Sequence, residues 1–201
     1  MKIGVFGGLF DPPHIGHLII AQHVIEEFGL QQILFIPSGN PPHKTKYSPY
    51  DHRYEMTALA IAGNECFALT DIERRTSGTT YTIETVRALS KESPDEMYLM
   101  IGSDQLFEIE NWKDPGLLFR ECRVVVMKRP HHEVQKDSKF LDRIMISTAP
   151  MIDISSTMVR SRIEKGLSVR YFVTKEVREY IERNNLYKAK LSSNDDPDRA
   201  G

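Results

Sequence analysis

His14 and His17 lie three residues apart in the stretch Gly7-Gly8-Leu9-Phe10-Asp11-Pro12-Pro13-His14-Ile15-Gly16-His17. This stretch joins a short apolar run, Lys2 to Phe6, to a helical pattern beginning at Ile15. Residues i and i+3 share a face of a helix, so the spacing predicts two imidazoles side by side on a first turn. Gly16 keeps the space between them clear. Gly7 and Gly8 let backbone N–H groups approach a bulky anion with no Cβ in the way. The helix start adds free N–H groups and a positive dipole end. Together these features point to phosphate chemistry. The loop is not a Walker A motif, since no Gly-Lys-Ser/Thr follows. Nor is it a dinucleotide G-x-G-x-x-G, because Gly4, Gly7 and Gly8 are wrongly spaced, and hydride transfer loses its main support. Taken singly, two glycines and a Pro12-Pro13 pair could mark only a turn and a helix start. Their conjunction with the paired histidines favours the phosphate site.

Something must hold that loop. Lys2–Phe6, Ile33–Ile36, Cys66–Leu69, Met97–Ile101 and Val124–Met127 read as buried strands, and Ile144–Ser147 as a weaker sixth. Such near-continuous apolar runs suit strands covered on both faces. Helical patterns fall between them. One carries Ile15, Leu18, Ile19, Val24, Ile25 and Phe28 and stops at Gly29. Others span Asp51–Ala62, with Met56, Leu59 and Ala60 on one side, and Thr82–Leu89. The last begins at Thr174 with Val177, Tyr180 and Ile181. The β-α-β-α order predicts an α/β fold, a Rossmann-like doubly wound and mainly parallel sheet. Ligands in such folds sit outside the carboxyl ends of the strands.

Composition bounds the rest. The chain has 201 residues, a net charge of −2, 40% hydrophobic and 27% charged residues. That is ordinary for a folded protein. One domain over residues 1–187 is expected, with a polar, disordered tail over 188–201. Cys66 and Cys122 make neither a zinc pattern nor a disulfide framework, which suits a reducing, cytoplasmic setting. No apolar run is long enough for a membrane span. Near-neutrality argues against a protein built to grip nucleic acid. The sequence leaves a homo-oligomer open.

The loop resembles the H-x-G-H signature of a nucleotidyltransferase superfamily that includes class I aminoacyl-tRNA synthetases. Ile154-Ser155-Ser156-Thr157-Met158-Val159-Arg160 resembles its second signature, I-S-S-T-x-[IV]-R. The chain is too short for a synthetase with tRNA-binding modules. Within the superfamily it is most similar to the bacterial nicotinate-nucleotide adenylyltransferases, over nearly all of Met1 to Tyr187. The likeness includes Pro37-Ser38-Gly39-Asn40-Pro41-Pro42-His43-Lys44, Asp71-Ile72-Glu73 and Ser77-Gly78-Thr79-Thr80-Tyr81-Thr82. It also includes Ile101-Gly102-Ser103-Asp104 and Trp112. Leu9 departs from the pattern, since relatives often carry Ser or Thr there, which removes one hydroxyl contact.

The resemblance implies adenylyl transfer from ATP to nicotinate mononucleotide, giving nicotinate adenine dinucleotide and pyrophosphate. It implies catalytic roles for His14, His17, Lys44 and Arg160. ATP would meet Gly7, Gly8, Phe10, His14, His17, Gly102, Asp104, Ile154, Ser155, Ser156 and Arg160. The mononucleotide would meet Asn40, His43, Lys44, Tyr81, Thr82, Asp104 and Trp112. Mg²⁺ would arrive with the ATP phosphates, with no protein side chain as ligand. Phosphopantetheine adenylyltransferases share H-x-G-H but tend to lack the Gly-Thr-Thr-Tyr-Thr and Asn-Trp segments. A nucleotide-binding regulator without chemistry could have dropped Lys44 or Arg160, and this chain keeps both.

Overall fold

A computed structural model describes residues 1–42, 46–75, 78–130 and 140–189. Six strands form one sheet: β1 (Lys2–Gly8), β2 (Gln32–Pro37), β3 (Phe67–Leu69), β4 (Glu96–Gly102), β5 (Arg123–Met127) and β6 (Ile144–Ile146). Their order is β3-β2-β1-β4-β5-β6, and every pairing is parallel. Helices α1 (Ile15–Phe28), α2 (Tyr50–Ile61) and α3 (Thr82–Glu92) alternate with the first strands. Then follow α4 (Ser103–Glu108), α5 (Pro115–Glu121), α6 (Ser156–Glu164) and α7 (Lys175–Arg183). All six expected strands are present, with ends shifted by a residue or two.

The apolar runs are continuous because the two faces of the sheet are both covered. Side chains alternate along a strand. Val5, Leu99, Ile101, Val124 and Val126 point to one face, against Ile83, Val86 and Leu89 of α3, Leu106 of α4 and Leu118 of α5. Phe6, Met100, Val125 and Met127 point to the other, against Ala21, Val24 and Ile25 of α1. Each fully buried Val contributes about 1.5–3 kcal/mol relative to exposure. A third cluster joins α2 to α6 and α7 through Met56, Val159, Val177 and Ile181.

Two details differ from expectation. Ile19 is exposed, so it does not share the core stripe of α1. The helical turn puts Ala21, Val24 and Ile25 inward, while Ile15, Ile19 and Gln22 line an outer groove. Helices α4 and α5 carry no long periodic stripe and follow directly on strand β4 and its loop. Gly29 ends α1 in the left-handed conformation, at φ 61°, as a C-cap glycine should. The part of the tail beyond Ala189 and the residues His43 and Lys44 lie outside the described residues.

The order reverses between β1 and β4. From β1 the chain steps outward to β2 and β3, and from β4 it steps the other way to β5 and β6. The loops after β1 and β4 therefore flank the crevice where such sheets bind ligands.

Candidate active site

The loop after β1 carries His14 as the N-cap of α1 and His17 in its first turn. Their rings stack, with centroids 3.6 Å apart and planes 23° apart. The His14 backbone N–H donates to His17 Nδ1 at 3.1 Å. That nitrogen therefore carries no proton, and the neutral His17 ring holds its proton on Nε2. Burial pushes the His14 pKa down to about 4, helped by the Arg129 guanidinium. Burial, then His14 and Arg129, push His17 well below its usual value. Both rings are neutral hydrogen-bond donors at pH 7, not cations. Gly16 is needed beneath them, because a Cβ there would lie 3.0 Å from His14 Nδ1.

The helix start is less open than the spacing suggests. The Ile15 N–H donates to the Phe172 C=O at 2.9 Å, and the His17 N–H to the His14 C=O at 2.9 Å. The imidazoles thus carry more of the donor role than the bare helix end. Gly7 faces open space on its Cβ side, whereas a Cβ at Gly8 would meet the Phe10 ring at 3.2 Å. Phe10 is buried, edge-on to Phe6 and His17, so only its main chain can meet a ligand.

After β4, Gly102 caps α4 and Asp104 sits in its first turn. Asp104 Oδ1 lies 3.0 Å from Arg129 Nε, just past the end of β5. A Cβ on Gly102 would lie 2.2 Å from Asp104 Oδ1 and 2.5 Å from Arg129 Nε. Glycine is what lets this pair form. Arg129 is a residue that spacing did not single out. Its only sequence signal is its place beyond a strand's carboxyl end.

The second signature meets the first through hydrogen bonds. The Ser156 hydroxyl donates to the Pro12 C=O at 2.8 Å, and Arg160 Nη1 donates to the Asp11 C=O at 2.7 Å. Ser155 caps α6, its Oγ accepting the Met158 N–H at 3.1 Å. Ile154 packs on the third cluster. Arg160 is thus fixed on the loop that bears the histidines.

Of the residues expected to meet the mononucleotide, Asn40, Tyr81 and Thr82 lie on the loops past β2 and β3. Asn40 exchanges bonds with Thr80: its N–H donates to Thr80 Oγ1 at 3.3 Å, and its C=O accepts the Thr80 N–H at 3.1 Å. Tyr81 is the N-cap of α3 and Thr82 its first residue, with no side-chain cap on the helix start. Lys113 sits 4.7 Å from the Tyr81 ring centroid and pairs with Glu84 of α3. Trp112 is half-buried against the first cluster. Glu73 ties these loops together, accepting from the Gly39 N–H at 3.0 Å and from the Thr85 hydroxyl at 2.9 Å.

Among the described residues, no three His, Cys, Asp or Glu side chains are grouped to hold a metal ion. No helix among them is long and apolar enough to cross a membrane. An open groove of about 580 Å³ between α1 and the end of α2 contains none of the expected site residues.

Fold and site together define a nucleotidyltransferase of the α/β type, and a family model described as cytidylyltransferase-like matches residues 5–162. A relative from Rubrobacter xylanophilus, named probable nicotinate-nucleotide adenylyltransferase, is 40% identical over 94% of this chain and 93% of its own. One of the same name from Salinibacter ruber is 38% identical over 94% of this chain and 98% of its own. The chain belongs to the nicotinate-nucleotide adenylyltransferase family. A solved structure of the Plasmodium falciparum nicotinic acid mononucleotide adenylyltransferase, complexed with NaAD, shares the fold at a TM-score of 0.79. It is 21% identical, and the match covers 92% of this chain and 97% of that one.

Proposed function

We propose that the enzyme transfers the adenylyl group of ATP to nicotinate mononucleotide, making nicotinate adenine dinucleotide and pyrophosphate in NAD biosynthesis. The observation that carries this reading is the stacked, neutral His14–His17 pair at the reversal of the sheet, within a chain of this family. A phosphate oxygen of the mononucleotide attacks the α-phosphorus of ATP. The bond from that phosphorus to the oxygen bridging the β-phosphate breaks, and pyrophosphate leaves with its electron pair. The nucleophile has a second pKa of about 6 and is largely ionised at pH 7, so no general base is required. Catalysis reduces to alignment and stabilisation of charge.

His17 Nε2–H and the His14 ring donate to the ATP phosphates as negative charge moves outward in the transition state. Being neutral, they bring no formal charge. Arg129 supplies one beside them, and Lys44 is assigned a second. Arg129 and Asp104 are both partly exposed, and such pairs are worth ~0–1 kcal/mol, so a polyphosphate can compete for the guanidinium. Asp104 is then free to accept from a ribose hydroxyl. Gly7 and the α6 start, with Ser155 and Ser156, line the phosphate side, and Arg160 holds the loop. Asn40, His43, Tyr81, Thr82 and Trp112 receive the mononucleotide. The uncapped N–H groups at Tyr81 and Thr82 suit the nicotinate carboxylate, and Trp112 suits its ring.

The donor set of His14, His17 and Arg129 offers N–H groups rather than oxygen ligands, so it fits a magnesium ion that arrives chelated by the triphosphate oxygens. Mg²⁺ bound there offsets phosphate charge. The reading sets the reaction in the cytoplasm, which the two free cysteines suit. The stereochemical course tests the mechanism. ATP made chiral at the α-phosphorus by sulfur substitution should react with inversion; retention would reveal a covalent enzyme intermediate and overturn direct attack.

A further inference from the structure

Asn185 and Tyr187 sit at φ 51° and 62°. Left-handed backbone at a tyrosine is costly and persists only where surrounding contacts offset it. Here the turns carry the segment after α7 back to the histidine loop. The Tyr187 hydroxyl donates to Asp11 Oδ1 at 2.6 Å, across 176 positions of sequence. Its ring packs on the third cluster and its oxygen also touches Met56 Sδ at 3.8 Å.

Asp11 is 2% exposed. Its other carboxylate oxygen accepts the Ser48 N–H at 3.0 Å, and its C=O accepts Arg160 Nη1 at 2.7 Å. Between Asp11 and His14 stand only Pro12 and Pro13, whose rings fix φ. A shift at Asp11 therefore passes to the imidazole pair with little slack. Burial and Asp11 both push the Tyr187 phenol up, so it stays a donor throughout the working range.

We infer that Tyr187 is a positioning residue for the His14–His17 pair, acting through its hydrogen bond to the buried Asp11 carboxylate. The segment after the last helix is then a strut of the active-site loop and not a passive end. Its effect on turnover rests on the proposed adenylyl transfer; its effect on the imidazoles does not.

Tyr187→Phe keeps the ring and removes the hydroxyl. Below its melting temperature the variant should lose on the order of tenfold or more in kcat, with a smaller change in KM, as expected for misplaced donors. The proton–nitrogen imidazole resonances of His14 and His17 should move, while those of His23, further along α1, should stay. Asp11→Asn weakens the same bond from the other side. It should shift the same resonances, and it serves where Tyr187→Phe does not fold. Unmoved His14 and His17 resonances in a folded variant overturn the inference, as does a kcat within twofold of wild type. If the resonances move but nicotinate mononucleotide is not a substrate of the wild type, the strut stands and the proposed function falls.

Discussion

His17 commits Nδ1 to the His14 backbone N–H, which leaves Nε2 as its one proton-bearing nitrogen. Replacing it by Ala removes that donor. By comparison with loss of one oxyanion donor, kcat should fall on the order of 10²–10³-fold, read in a steady-state assay. Neutrality also has a thermodynamic consequence. The folded His14 pKa is about 4, below the ordinary value of 6.5. Above pH 6.5 neither folded nor unfolded His14 is charged, and the group does not affect stability. As pH falls from 6.5 toward 4, the unfolded chain takes up a proton that the folded one refuses. Stability is lost over that window. His14→Gln should flatten this part of the melting-temperature profile; an unchanged slope would show that His14 is not held neutral. Arg129 belongs to the same scale. Arg129→Gln should raise the KM for ATP about tenfold and let the His14 pKa rise, while Arg129→Lys should do less of both. The histidines were legible because two rings at i and i+3 after two glycines are rare and specific. Arg129 was not, since a lone arginine beyond a strand looks like any solvated cation. Only the fold shows it facing Asp104.

At the scale of elements, strands were read well because both faces of the sheet are covered, which leaves long apolar runs in the sequence. Helices α4 and α5 were missed, since six or seven residues are too few to show a period. Yet α4 presents Asp104, and the turn between α4 and α5 presents Trp112. The role proposed for the start of α3, holding a carboxylate, rests on the family likeness, because backbone donors leave no mark on side-chain identity. Trp112→Ala should raise the KM for nicotinate mononucleotide with little change in the KM for ATP, and the mononucleotide should alter Trp112 fluorescence in the wild type. Unchanged fluorescence together with an unchanged KM would return the ring to the core. Gly39 tests the junction of the loops after β2 and β3. A Cβ there would sit 2.4 Å from the Glu73 backbone oxygen. Gly39→Ala should cost about 1–3 kcal/mol of stability, measured by denaturant unfolding, because backbone must move to admit it.

Across the whole molecule, the histidine loop is held by contacts that no local pattern announces. Arg53 of α2 is fully buried, donating to the Ser48 C=O at 2.9 Å and the Leu9 C=O at 3.0 Å. Its guanidinium also lies 5.0 Å from the Tyr47 ring centroid. With Ser156, Arg160, Phe172 and Tyr187, it fastens one short loop to four distant parts of the chain. A buried Arg reads in sequence as an exposed one, so this framework appeared only in three dimensions. Near-neutral charge now has a local meaning. The proposed anions are small, and the proposed holders, a few neutral donors with Arg129, need no basic surface. The most direct test is pyrophosphate release from ATP with magnesium and each of three acceptors. Nicotinate mononucleotide should support turnover. Nicotinamide mononucleotide should be poorer by roughly 10–100-fold in kcat/KM, the worth of one charge-assisted hydrogen bond. Phosphopantetheine should not react. Turnover with phosphopantetheine and none with nicotinate mononucleotide would contradict the account.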